Sequence, residues 1–103
     1  MAQPFPIPDE VRREALVKAA KVRRDRAELR EQLKAGDLSL AELLGRLDDD
    51  TVGKMKVLAV IESLPGVGKV KARRAMEGIG ISENRRLRGL GSRQRSQLLD
   101  AFG

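Results

Sequence analysis

The sequence predicts an all-α fold: a long N-terminal helix followed by a compact helical body. Three observations predict it. Apolar residues recur at the spacing of a helix face and nowhere alternate with a period of two. No Val-, Thr- or Tyr-rich run lies between turn signals, as a strand would require. Glycine, proline and capping residues divide the chain into segments of helical length. The 103 residues suit one domain, able to bury roughly 60% of its unfolded surface.

Residues 1–8, "MAQPFPIP", carry three alternating prolines. Each disfavours helix in the residue before it, so this stretch is expected to be an extended arm whose Phe5 and Ile7 are available to dock on the body. Residues 9–35 form the long helix, with Asp9 as N-cap, Glu10 in the first turn and Gly36 as the stop. Val11, Ala15, Val22, Leu29 and Leu33 project within about 40° of one another on it. Arg12, Arg23, Arg30 and Lys34 run along one flank of that stripe; Glu10, Glu14, Asp25 and Glu28 run along the other. The flank is either a solvated face stitched by ion pairs or a second surface for a phosphate backbone.

Residues 36–103 form the body. In "DLSLAELLGRL", Ser39 and Glu42 make a capping box, and Leu40, Leu43, Leu44 and Leu47 face inward. "DDDT" at 48–51 is a turn and the strongest local negative charge, able either to cap the next helix or to repel DNA from that side. That third helix is expected over 52–64, apolar around most of its circumference through Met55, Val57, Leu58, Val60, Ile61 and Leu64. Pro65 and Gly66 end it. A fourth helix runs over 67–79, with Ala72, Ala75, Met76 and Ile79 inward and Gly80 as its stop. Ser82 caps a short fifth helix in "ENRRLRGL". Ser92 caps a last helix, "RQRSQLLDAF", anchored by Leu98, Leu99 and Phe102.

Composition removes several functions. Cysteine and histidine are absent, which excludes disulfides, thiolate and imidazole metal sites, and Cys–His or Ser–His catalysis. No cofactor or metal is expected. Glu62, Glu77 and Glu83 are the acids nearest the basic region, and none pairs at catalytic spacing, so the chain is read as a binding protein and not an enzyme. No long apolar run spans a membrane, and the N-terminus lacks the pattern of a secretory signal, which points to a cytoplasmic protein. Phe5 and Phe102 are the only aromatics. Single strands and RNA loops are held by stacking on several such rings, so duplex is favoured.

Lys and Arg number 21 against 15 acids, a net charge of +6. From Lys54 to Arg95 there are eleven cations and three acids, so this block holds all of the excess. Such asymmetry points to a polyanionic partner. Within the block, "LPGVGKVKARR" sets a glycine-lined bend at the start of a helix. A helix start exposes unpaired N–H groups with partial positive charge, the natural seat of a phosphate. Gly66 and Gly68 let a phosphate approach the backbone, Val67 lies between them, and Lys69 and Arg73 add full charges one turn apart. This clamp fixes register on a backbone and reads no base. It is not a nucleotide P-loop: Ser63 replaces the first glycine and Val70 the metal-binding hydroxyl. A second constellation, "SENRRLRGLGSRQR", gathers Arg85, Arg86, Arg88, Arg93 and Arg95 around a helix start at Ser92. Two such starts suit two phosphates on double-stranded DNA, and arginine also enters minor grooves.

"IESLPGVGKVKARRAMEGIGI" resembles the helix–hairpin–helix and the related helix–two-turns–helix element, as in ribosomal protein S13 and formamidopyrimidine-type DNA glycosylases. The longer stretch from "VGKMKVLAV" through "GLGSRQ", with "ALVKAAKVRRDRAELREQLKAG" upstream, is similar to the actinobacterial integration host factors. That resemblance covers essentially the whole chain. It implies a small, largely helical, nucleoid-associated protein that binds duplex DNA with little sequence preference and influences DNA topology, compaction and gene expression; separately, the chain is expected to act as a monomer. The resemblance places backbone contacts at Gly66, Val67, Gly68 and Lys69, and further contacts at Arg85, Arg86, Ser92 and Arg93. The alternative is an S13-like RNA binder.

Overall fold

The computed structural model describes residues 9–103. The expected arm over 1–8, with Phe5 and Ile7, lies outside them. Helix α1 runs Asp9–Ala35 and holds Asp9 within its first turn rather than at the cap. It ends as a Schellman motif: Asp37 N–H donates to Gln32 C=O at 3.0 Å and Gly36 N–H to Leu33 C=O at 3.2 Å. At 1.5 Å per residue it spans ~40 Å, most of the 50 Å long axis. The predicted apolar stripe meets the body only in its C-terminal half. Leu33 is buried and Val22 and Leu29 are half-buried, whereas Val11, Ala15, Leu16 (62% exposed) and Val17 (66%) face solvent. The partner elements set this limit, because the seven-residue helix beside α1 covers only ~10 Å of it.

The remaining elements are short. Helix α2 (Leu40–Leu44) has the expected capping box, with Glu42 N–H donating to Ser39 Oγ and Ser39 N–H to Glu42 Oε1. The acidic turn caps α3 (Asp50–Gly53) through Asp49, whose carboxylate accepts from Thr51 N–H at 2.9 Å.

The single helix expected over 52–64 is in fact two. After α3 closes at Lys54 the helix is interrupted, Lys56 is extended, and α4 occupies Val57–Ser63. The expected helix in "ENRRLRGL" also fails to form. Ser82 organises a turn there, and only a 3-10 turn at Leu87–Gly89 is helical. Both departures have one cause. Val57 N–H donates to Arg85 C=O and Leu87 N–H donates to Met55 C=O, each at 2.9 Å, around an antiparallel bridge between Lys56 and Arg86. Helical ladders would take these same backbone groups. The cross-chain pairing instead buries Met55, Val57 and Leu87 together, and that gain is absent from any local pattern.

Helix α5 (Gly68–Ile79) starts one residue later than expected, with Val67 at its cap, and closes at Gly80 as a second Schellman motif in which Ile81 N–H donates to Met76 C=O. Helix α6 (Ser92–Phe102) is capped by Gly91 and not by Ser92, which lies in its first turn. Gln94 makes this workable: its Oε1 accepts from Gly91 N–H at 3.1 Å and its Nε2 donates to Gly80 C=O at 3.3 Å. Gln94 thereby fixes the start of α6 against the end of α5. The core runs between these elements through Leu33, Leu43, Val60, Ile61, Met76, Leu87 and Leu98, all essentially inaccessible.

Denaturant unfolding distinguishes the two halves of α1. Leu33→Ala is expected to cost about 2–5 kcal/mol as a buried large-to-small change. Leu16→Ala on the projecting half is expected to stay within about 0.5 kcal/mol of the parent.

Candidate functional site

The bend between α4 and α5 is built by its sequence and left open by the fold. Leu64 is buried and anchors the end of α4, while Pro65, Gly66 and Gly68 are exposed. Gly66 (φ 74°) and Gly68 (φ 69°) both adopt left-handed backbone, which costs a residue with a Cβ about 1–2 kcal/mol. Apart from the adjoining backbone, no atom of the described residues lies within 4 Å of where a Cβ would stand at either position, which leaves both open to close approach. The one backbone hydrogen bond inside the turn among the described residues is Val67 N–H to Leu64 C=O at 3.2 Å. Among the described residues the amides of Gly66, Gly68 and Lys69 have no acceptor. These N–H groups stand at the positive end of a twelve-residue helix, an arrangement that can accept an anion.

The cations around the corner are not equivalent. Lys69, Lys71 and Arg74 are exposed and form no ion pair among the described residues. Arg73 is partly neutralised, its Nε lying 3.3 Å from Glu83 Oε1. Glu83 follows α5 and is brought back to it by the turn at Ser82, a partnership that spacing along the helix did not show.

The second constellation lies at the opposite end of α5. Since α6 starts beside Gly80, the two helix starts stand about 18 Å apart, the length of twelve helical residues. Ser92, Arg93 and Arg95 are exposed there. Arg86 is exposed too, its backbone held by the bridge to Lys56. Arg85 turns back on its own segment, Nη1 donating to Gly89 C=O at 3.1 Å.

Arg88 departs most from the sequence reading. Its Nη2 donates to Leu47 C=O at 3.2 Å and to Asp50 Oδ1 at 2.9 Å, and its guanidinium lies over Gly53, where an added Cβ would approach it to 2.7–2.9 Å. Arg88 therefore ties the 3-10 turn to α3 and the α2–α3 connection. The hydrogen bond and charge of Arg88, with a smaller contribution from Lys54, hold the Asp50 carboxyl below its ordinary value.

Arg30 also has a different setting from the one the helix flank implied. Its Nε donates to Ser63 Oγ at 3.2 Å, and its Nη2 lies 3.9 Å from Glu62. Arg30 and Lys34 line an open cleft of about 690 Å³ whose other wall is Pro65 to Lys69. They belong with the glycine corner, whereas Arg12 and Arg23 stay on the exposed part of α1. Tertiary packing brought Lys34 to the site; its place on the flank was legible in the sequence, its destination was not. Among the described residues no helix is long and apolar enough to cross a membrane.

Residues 33–102 match the family model of the S13-like H2TH domain. The chain is 53% identical over 104 residues to the integration host factor of Streptomyces coelicolor, covering 100% of this chain and 96% of that protein. It is 54% identical over 96 residues to the integration host factor of Mycobacterium tuberculosis, covering 92% and 91%. Its structure is similar to that of sIHF bound to an 8-bp palindromic DNA, with a TM-score of 0.79 and 54% identity over 84% of this chain and 98% of that one.

The Arg88–Asp50 pair carries a pH signature. A carboxyl whose pKa is lowered on folding contributes stability that is complete above its ordinary value, 3.8, and is lost as pH falls through the lower folded value. The thermal midpoint of Asp50→Asn is therefore expected below that of the parent at pH 7, and the gap is expected to close in strong acid. A gap independent of pH would mean that the pair contributes nothing through charge.

Proposed function

The chain belongs to the integration host factor family of Streptomyces and mycobacteria, and on that premise we propose that it is a nucleoid-associated protein that grips duplex DNA by its backbone with little sequence preference. One observation carries this reading: a solvent-open glycine corner presents three unpaired amides beside Lys69 on the most basic part of the chain. Phosphate is what such a corner accepts. Contacts of this kind position a protein on DNA without reading bases.

The second grip is at the start of α6, where Ser92 and Arg93 face solvent and Arg86 stands nearby in the chain. The ~18 Å between the two helix starts corresponds to about five base pairs of rise at 3.4 Å each, so the two grips hold non-adjacent phosphates. Arg73 and Arg85 serve this surface with charge already shared inside the protein, and Arg88 serves it by holding the segment in place. The protein acts as a monomer and without catalysis. Arg12 and Arg23, on the projecting part of α1, offer a weaker contact to a separate duplex. Bridging of that kind, together with binding along many sites, is the route to effects on topology, compaction and gene expression.

Duplex DNA is favoured over structured RNA by the near-absence of aromatic rings, Phe5 and Phe102 being the only two, and by the likeness to a DNA-bound relative. A competition of labelled duplex against structured RNA separates the two readings, and preferential displacement by RNA would reverse the assignment.

Affinity is expected to fall steeply with salt. If six to eight phosphates are neutralised, log K against log[salt] has a slope of about −5 to −7. Lys69→Ala is expected to lower the magnitude of that slope by about 1. Arg73→Ala is expected to do less, because Glu83 already holds part of its charge, and Glu83→Gln is expected to tighten binding. A slope near zero in the parent protein would end the DNA-backbone reading.

A further inference from the structure

The cleft between α1 and the glycine corner has features that a turn-only phosphate clamp does not use. It is large, about 690 Å³, and far exceeds one phosphate group. It has no aromatic lining, so it offers nothing for a base to stack on. Its two walls come from elements far apart in sequence, and they are joined by a specific tether. Ser63, the one buried polar residue among the described residues, donates its hydroxyl to Ala59 C=O at 2.7 Å and accepts from Arg30 Nε. Arg30 sits 3.9 Å from Glu62 and offsets its charge. Lys34, one turn further along α1, is exposed and forms no ion pair among the described residues. With Lys69 opposite, two cations remain in the cleft against Glu31.

We propose that this cleft is a continuous seat for a sugar–phosphate strand, in which Lys34 takes a second phosphate of the strand held at the glycine corner and Arg30 is the positioning residue that keeps α1 against the corner through Ser63. The proposal rests on the DNA-backbone reading of that corner and extends it to the long helix. The volume fits a phosphate with its attached sugar, and the unstacked walls suit a backbone segment rather than a free nucleotide. The last turns of α1 then belong to the principal interface, distinct from any contact made by Arg12 or Arg23.

The test is a fluorescence-anisotropy titration of a labelled duplex across a range of salt, using the full chain. Lys34→Ala is expected to reduce the salt slope by about 1 and the affinity about eightfold at 0.1 M salt. Lys18→Ala, on the projecting half of α1, is expected to leave both unchanged. Ser63→Ala removes the acceptor of Arg30; it is expected to weaken binding in the parent and to add nothing in the Lys34→Ala background. Arg30→Lys, which keeps the charge and leaves Ser63 intact, is expected to follow Ser63→Ala, with thermal melting confirming that both variants fold. If Lys34→Ala behaves as Lys18→Ala while Lys69→Ala still lowers the slope, the strand seat is wrong and the corner reading survives. If Lys69→Ala also leaves the slope unchanged, the corner reading itself fails. Additive losses from Ser63→Ala and Lys34→Ala would overturn the positioning role of Arg30.

Discussion

Among the described residues the backbone amides at the start of α5 have no acceptor, and that deficit is the constraint around which the rest is arranged. An unpaired N–H group is tolerated only where water or a ligand reaches it. Two closely spaced departures into left-handed backbone, at Gly66 and Gly68, turn the chain sharply enough to leave these groups facing out. The core secures the corner from beneath through Leu64, Ala72 and Met76. The apolar interior thus supplies rigidity, and on the proposed reading the open backbone above it receives the phosphate.

Holding that corner is a matter of non-local pairing as much as of packing. The hydrogen bonds joining Met55 and Val57 to Arg85 and Leu87 break a helix that would otherwise run straight from α3 into α4, and they return the arginine-rich segment to the centre of the molecule. Gln94 then joins the start of α6 to the end of α5. Two helix starts, both surrounded by cations, are set at opposite ends of one rigid twelve-residue helix. A binding surface of this kind needs no aromatic platform and no bound metal. In the proposed mode of binding its parts are amide groups, lysine and arginine, and its selectivity is for the spacing of charge along a polymer.

The cations themselves divide by what they touch. Lys69, Lys71, Arg74, Arg86 and Arg93 are exposed and form no ion pair among the described residues. Arg30, Arg73, Arg85 and Arg88 hold protein acceptors. Guanidinium suits the second task because its planar fork reaches several acceptors in fixed geometry, whereas the ammonium of lysine is a mobile point charge. The division also reconciles a strongly basic surface with a stable small domain: part of the positive charge is used as internal bracing, which lowers the self-repulsion of the folded state.

Sequence alone determined much of what rests on near neighbours, though not the Gly91–Gln94 cap of α6. The all-α class, the long first helix and the stops at Gly36 and Gly80 rest on local events, as do the Ser39–Glu42 box, the capping turn at 48–51 and the glycine-lined bend, each complete within about five residues. Net charge and its concentration after Lys54 are likewise properties of the chain and survive any folding. Tertiary structure decided the break at Lys54–Lys56, the loss of the helix at 83–86, the bracing role of Arg88 and the arrival of Arg30 and Lys34 at the corner. Each of these depends on a partner about 30 or more residues away. Helical propensity and an apolar stripe are satisfied equally well by the wrong local structure, and only burial of Met55, Val57 and Leu87 in one shared core makes the extended pairing the better use of the same backbone groups.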